Sequence, residues 1–318
     1  MRRAPLAILP VIALGACQAG TASGNDAQVA SDGAPFAIAE QASFDNPWAI
    51  VFLPGTSQAL VTEKTGHLQL YDTATKVKSE IAGIPAVDYG GQGGLLDVAL
   101  APDFATSRDI YLSYAEPGDG GSGLALARGT LSPDGSRLNG VAVVWRQLPR
   151  GKGGQFGGVI AFAPDGQSLY LTSGERQRFT PAQDPDQALG KILHLTLDGQ
   201  PAPGNPKAGQ TGASEVTITE PPRNTGAAKT AKGRSVVLSG TNRTPAETWS
   251  SGHRNPYGLT FSPDGRLWET EMGPKGGDEL NLIEAGKNYG WPNVSFGDNY
   301  DGSAIPRPAA GDGYAMPA

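Results

Sequence analysis

Residues 247–292 read ETWSSGHRNPYGLTFSPDGRLWETEMGPKGGDELNLIEAGKNYGWP. A short apolar run, Gly258-Leu-Thr-Phe261, meets the turn Ser-Pro-Asp264-Gly265, and a second run, Arg266-Leu-Trp-Glu-Thr270, follows at once. This is the pattern of a β-hairpin: Pro fixes φ in the turn and Gly accepts positive φ. Polar residues crowd the loops at both ends. His253-Arg254-Asn255-Pro256 precedes the hairpin; Gly273-Pro274, Asp278-Glu279 and Asn288-Tyr289-Gly290-Trp291 follow it. Loops of this kind on a rigid hairpin mark a binding mouth.

The same unit of strand, Pro-centred turn and strand recurs upstream. Ala49-Ile-Val-Phe-Leu-Pro54-Gly55 precedes Gln58–Thr62, Asp97-Val-Ala-Leu-Ala-Pro102-Asp103 precedes Asp109–Ser113, and Val159-Ile-Ala-Phe-Ala-Pro164-Asp165-Gly166 precedes Ser168–Thr172. The turn prolines of the four units lie 48, 62 and 99 residues apart. One interval matches a propeller blade of ~40–50 residues, one is lengthened by a loop, and one is near two blades. The expectation is therefore an all-β propeller. A β-sandwich would show strands at ~8–12-residue spacing without the longer repeat. The segment Pro201–Pro245 fits the pattern least well and is expected to hold a degenerate blade around a long polar loop.

Composition agrees. The chain has 318 residues, 38% of them hydrophobic, enough for a core, and its 45 Gly and 26 Pro suit many short strands and tight turns. The net charge of −6, without a basic block, argues against nucleic acid as a partner.

At the N-terminus Arg2 and Arg3 lead into Leu6–Leu14, an apolar run too short to span a bilayer as a helix, which reads as a signal segment. Leu14-Gly15-Ala16-Cys17 resembles the lipobox of bacterial lipoproteins, so residues 1–17 are expected to form a lipoprotein signal peptide with Cys17 lipidated. Gln18 after it resembles outer-membrane sorting, implying a lipid-anchored protein on the periplasm side of the envelope. Residues 18–40 read as a flexible tether and 41–318 as the propeller. Cys17 is the only cysteine, which excludes an intrachain disulfide or a Cys-based metal site.

The motifs Gly91-Gln92-Gly-Gly-Leu-Leu96, Gln155-Phe-Gly-Gly158, Gly174-Glu175, Ala182-Gln-Asp184, Leu189-Gly-Lys191, Gly252-His-Arg-Asn-Pro256, Gly273-Pro274, Asp278-Glu279-Leu-Asn281 and Asn288-Tyr-Gly-Trp291 occur in one order. In that order they resemble the soluble-type PQQ-dependent aldose dehydrogenases, the glucose/sorbosone dehydrogenase family, over Asn46–Pro292. The resemblance implies a six-bladed propeller that binds pyrroloquinoline quinone (PQQ) and calcium at its channel mouth and oxidises the anomeric carbon of aldoses to lactones.

It also implies site roles. Gln92, Arg254 and Asn255 would contact PQQ, and a fixed cation such as Arg254 suits the negative charge that a quinone develops on taking a hydride. Gly273 and Pro274 would offer carbonyls to the calcium beside PQQ, a hard ion that takes oxygen ligands. Asp278, Glu279 and Tyr289 resemble a second, structural calcium site. His253 is expected to be structural, His67 and His194 are isolated in strand-like contexts and expected to be incidental, and Trp249, Trp268 and Trp291 are expected to pack the blades.

Two departures stand out. Where the family has a His as general base, this chain has Gln155, an amide that cannot take a proton at neutral pH. Glu175, which would orient that His, is present. Position 155 is expected to lie close to Glu175 and on the side opposite Arg254. Loss of such a base costs roughly 10²–10⁴-fold in rate, so the resemblance implies impaired turnover; the alternative is a non-catalytic propeller binding a sugar or a protein. The second departure is Asp301–Ala318, which reads as a loop and not a final strand. The family continues for another blade or more, so the last part of the ring is expected to be missing from this chain.

Overall fold

The computed structural model describes residues 28–29 and 37–318. Two units are distinguished, residues 1–43 and 44–318. The signal segment, with Cys17, lies outside the described residues, as does most of the expected tether. Within that tether β1 (Gln28–Val29) pairs antiparallel with β2 (Ala37–Ile38).

The second unit is built from four antiparallel sheets, each a meander in chain order. The first blade comprises β3 (Pro47–Phe52), β4 (Gln58–Glu63), β5 (His67–Asp72) and β6 (Lys78–Glu80). The second comprises β7 (Leu95–Leu100), β8 (Asp109–Glu116), β9 (Gly123–Leu131) and β10 (Leu138–Arg146). In the third, β11 (Gly157–Phe162), β12 (Ser168–Ser173) and β13 (Lys191–Thr196) are followed by a ribbon of β14 (Glu215–Ile218) and β15 (Arg234–Val237) before the outer strand β16 (Thr248–Ser251). The fourth has three strands, β17 (Pro256–Phe261), β18 (Leu267–Glu271) and β19 (Glu279–Ile283). This is a propeller-like arrangement of four blades. Each Pro-turn unit read from the sequence forms the first two strands of a blade.

The expected degenerate blade at Pro201–Pro245 is not one. That stretch is an insertion between the third and fourth strands of the third blade, so the interval of 99 residues spans one enlarged blade and not two. Asn205 ties the insertion down, its Nδ2 donating to the carbonyls of His194 (2.8 Å) and Ala246 (2.7 Å).

The blades join through their first strands: β3 packs on β7, β7 on β11, and β11 on β17. Apolar clusters fill the gaps. Leu60, Leu68, Leu95 and Leu112 belong to the first, Leu96, Leu124, Leu169 and Leu193 to the second, and Tyr170, Ile192, Leu259 and Ile283 to the third. Burial of such side chains is worth roughly 1.5–3 kcal/mol each.

A second device repeats at every junction. The first strand of each blade carries a bulge near its start. A hydroxyl from the second strand caps the irregular backbone and reaches the next blade. Thr62 Oγ1 accepts from Ala49 N (2.9 Å) and donates to Leu96 O (2.6 Å). Ser113 Oγ accepts from Asp97 N (3.0 Å) and donates to Gly158 O. Thr172 Oγ1 accepts from Gly158 N and Val159 N (3.0 and 2.9 Å) and donates to Pro256 O (3.0 Å). Thr270 holds the equivalent register position in the fourth blade, but it is exposed and its hydroxyl has no partner among the described residues. Ile50 and Phe52 on the first blade and Leu280 on the fourth are also exposed.

Candidate active site at the channel mouth

Because the strands alternate in direction, the starts of first strands and the ends of second strands meet at one end of the assembly. Gln92 precedes β7, Gln155 precedes β11, Glu175 follows β12, Arg254 and Asn255 precede β17, and Gly273 follows β18. The residues expected at the mouth therefore come from loops of three consecutive blades.

Gln155 is their meeting point. Its backbone lies in the left-handed region (φ 56°), held by its N–H donating to Gln92 Oε1. Its carbonyl lies so close to Gly174 that a Cβ there would stand 2.0 Å from it, which is why this position is a glycine. A carboxylate only accepts and a guanidinium only donates. The amide is therefore oriented with its NH₂ on Glu175 Oε1 and its oxygen 2.7 Å from Arg254 Nη2. The expectation that Arg254 lies on the opposite side of Gln155 is thus corrected: Arg254 contacts it directly.

Glu175 is fully buried. Burial pushes its carboxyl up to about 7, against the opposing pull of the Phe179 N–H, which donates to its Oε2, and of the nearby Arg254 charge. The Arg254 guanidinium donates through Nη1 to the carbonyls of Met272 and Gly273, 2.8 Å each, while its backbone N–H donates to Glu271 Oε2 at 2.6 Å. Trp291 and Tyr300 flank it at 5.4 and 6.0 Å. Trp291, expected to pack a blade, thus stands at the mouth. Asn255 turns its Oδ1 to Gly157 N (3.3 Å), linking the fourth blade to the third.

Of the residues expected around calcium, Gly273 presents its carbonyl to Arg254, and its N–H donates to Asp278 Oδ1 at 2.9 Å. Glu279 and Tyr289 line one small cavity with Arg254, Glu271, Gly273 and Pro274; Asp278 is not in its wall. The Tyr289 hydroxyl is committed elsewhere, donating to Leu282 O (2.6 Å) and accepting from Glu284 N (3.0 Å), so the side chains of Asp278, Glu279 and Tyr289 do not converge.

Several buried polar residues at this end were not singled out from the sequence. Arg176 is fully buried, stacks on Phe156 at 3.7 Å, and donates to the carbonyls of Ser122, Gly151, Gly153 and Gly154. Together with Arg178, which donates to Pro149 and Lys152 carbonyls, it holds the loop that delivers Gln155. Glu269, Glu271 and Asn281 form a second polar cluster. The alternation Glu269-Thr-Glu271 in a strand, which places both carboxylates on one face, was the signal for it. His194, expected to be incidental, has a structural role: it stacks on Tyr170 and bonds Asn205 and Ser168.

Comparison with known proteins bears on this geometry. The glucose/sorbosone dehydrogenase family model matches residues 44–239 and 228–318, which is most of the chain. The chain belongs to the glucose/sorbosone dehydrogenase family. It is 39% identical over 269 residues to the aldose sugar dehydrogenase YliI of Escherichia coli K12, covering 84% of this chain and 64% of that protein. The chain therefore spans less than two-thirds of the length of this relative. The apo crystal structure of the soluble aldose sugar dehydrogenase from E. coli superposes with a TM-score of 0.71 at 38% identity, covering 86% of this chain and 71% of that one. The PQQ-bound aldose sugar dehydrogenase of Streptomyces coelicolor gives 0.62 at 31%, covering 83% and 67%. In this member of the family Gln155 bonds Gln92, Glu175 and Arg254 at one mouth, with Asn255 beside them.

Proposed function

We propose that the channel mouth binds PQQ, with calcium, and that the protein is an aldose dehydrogenase whose proton-transfer step is slowed by Gln155. The chain's own polar set fits such a group. Gln92 borders a cavity of about 480 Å³ shared with Asp88, Phe156 and Gln177; the amide of Gln155 meets the guanidinium of Arg254, which lines a separate small cavity with Gly273 and Pro274. The binding of PQQ by the S. coelicolor relative supports the same assignment. For calcium the carbonyls of Gly273 and Pro274 are of the right chemistry, although the Gly273 oxygen must be shared with Arg254.

When bound, PQQ supplies the hydride acceptor. Arg254, held by two carbonyls, provides a fixed positive charge at the mouth, and a preorganised charge of this kind stabilises a developing anion without reorganising. Gln155 orients and donates but cannot accept a proton. The carboxyl next to it, Glu175, is fully buried, and burial raises its affinity for a proton to near neutrality. The observation that carries this reading is the interposed amide: Gln155 stands between Glu175 and Arg254, and an amide cannot take the sugar's proton. The same observation favours a second reading, a sugar-binding propeller without turnover.

The four blades belong, on this proposal, to a six-bladed ring. The unpartnered Thr270 hydroxyl supports it, since the equivalent hydroxyl at each other junction meets a further blade. So does the edge contact of Trp48 in the first blade with Tyr257 in the fourth, 5.9 Å apart, as expected of opposite blades across an axis. The Leu14–Cys17 motif supports a lipid anchor on the periplasm side of the envelope.

Calorimetric titration of PQQ in the presence of calcium tests the binding site. Saturable binding weakened at least tenfold by Arg254→Ala is expected; titrations that show no saturation, or none of that loss, would remove Arg254 from the site.

A further inference from the structure

In β18, Glu269 and Glu271 are two residues apart and project from one face. Across the β18–β19 pair Glu269 stands opposite Asn281, and Glu271 stands opposite Glu279. Like charges directly opposite destabilise a strand pair. Here they do so on a buried face: Glu269 is 1% exposed, Asn281 0% and Glu271 6%. Among the described residues the only ion-pair partner of these three carboxylates is His253, itself 0% exposed, with Nδ1 3.3 Å from Glu271 Oε1.

Hydrogen bonding does not resolve the charge. The single NH₂ of Asn281 is divided among Glu269 Oε2 (3.0 Å), Glu279 Oε2 (3.3 Å) and Glu271 Oε1 (3.4 Å). Glu269 Oε1 and Asn281 Oδ1 are buried with no hydrogen-bond partner among the described residues. Buried carboxylates are retained when paired or bound to a metal, and an orphaned buried oxygen calls for an explanation.

We propose that His253, Glu269 and Glu271 bind a divalent cation of the manganese or zinc class. One ligand atom from each lies within 4.8 Å of the others, so that small side-chain shifts would close them on one ion with bonds of roughly 2.0–2.3 Å. The imidazole is set for the role. Its Nε2 pairs with Ser250 Oγ at 2.9 Å and its Nδ1 faces Glu271 Oε1 at 3.3 Å; a neutral ring donating from Nε2 to Ser250 would turn the Nδ1 lone pair toward the carboxylates, the state in which it could bind a cation. A mixed imidazole and carboxylate set suits manganese or zinc better than calcium, which prefers oxygen alone. The site is therefore separate in chemistry from the all-oxygen set expected at Asp278, Glu279 and Tyr289. It would brace the strands behind Arg254, whose backbone N–H rests on Glu271.

The test is a titration of the chelator-treated, full chain with Mn²⁺, following the free ion by electron paramagnetic resonance, with Zn²⁺ and Ca²⁺ as competitors. One saturable Mn²⁺ is expected, displaced by Zn²⁺ and not by equimolar Ca²⁺. Glu269→Gln and, independently, His253→Asn should weaken it at least tenfold, while Asp278→Asn should leave it intact. Glu269→Gln removes one buried charge at constant shape, so without metal it should melt no lower than the metal-free wild type. Undiminished Mn²⁺ binding in both variants, displacement by Ca²⁺, loss in Asp278→Asn, or no saturable binding by the wild type would each overturn the assignment.

Discussion

Glu175 and Arg254 are joined through their main chains, with Glu175 N donating to Arg254 O at 3.0 Å, yet the amide of Gln155 is interposed between their charged ends. The carboxylate and the guanidinium therefore satisfy each other only through a neutral intermediary, and the carboxyl keeps a high affinity for its proton.

That proton makes stability depend on pH. Burial pushes Glu175 up from 4.5 to about 7, so between those values the folded chain holds a proton that the unfolded chain has released. The native state then binds more protons, and stability falls as pH rises. The contribution is fully present below about pH 4.5 and lost as pH passes 7, a change of about 3 kcal/mol. Urea melts across this range should show the fall, and Glu175→Gln should flatten that part of it. Equal slopes for the two proteins would mean that Glu175 is not the proton holder.

The hydroxyls at the blade junctions should differ in worth according to what they reach. Thr172→Val leaves the buried N–H groups of Gly158 and Val159 and the carbonyl of Pro256 without their partner. An unsatisfied buried group costs about 1–3 kcal/mol. Thr270→Val removes an exposed hydroxyl with no partner and should stay within about 0.5 kcal/mol. Chemical denaturation of the two variants checks this; equal losses would show that the junction bonds are not what the hydroxyls contribute.

Lipidation at Cys17 predicts recovery of the protein with membranes after expression in a bacterial host, and release into the soluble fraction by Cys17→Ser. Identical fractionation of the two would remove the anchor.

The sequence showed the inner half of each blade because a Pro-centred turn punctuates its first two strands. The outer strands β9 and β10 flank the same kind of turn, Ser132-Pro133-Asp134-Gly135, which the reading by blade intervals passed over, and the ribbon within the third blade masked where that blade ends. At the mouth, Gln92, Glu175, Arg254 and Asn255 were legible because each sits in a short motif beside a strand end. Arg254's direct contact with Gln155 was not, since the distance across a mouth is set by how three blades pack. Glu269 and Glu271 were passed over because Trp268 and the Pro-Asp-Gly turn already accounted for their strand as a packed hairpin. Their cost appears only when the facing strand brings Asn281 and Glu279 opposite them.

The reading of Gln155 as the slow element of the proposed site is tested most directly by anaerobic stopped-flow. The protein is loaded with PQQ and calcium and mixed with an aldose, and the PQQ absorbance is followed. Gln155→His should accelerate the sugar-dependent bleaching at least tenfold, about 1.4 kcal/mol of barrier, with little change in the PQQ concentration needed for loading. Rapid bleaching by the wild type that Glu175→Gln leaves unchanged, or a PQQ spectrum that no aldose alters in either protein, would contradict the account.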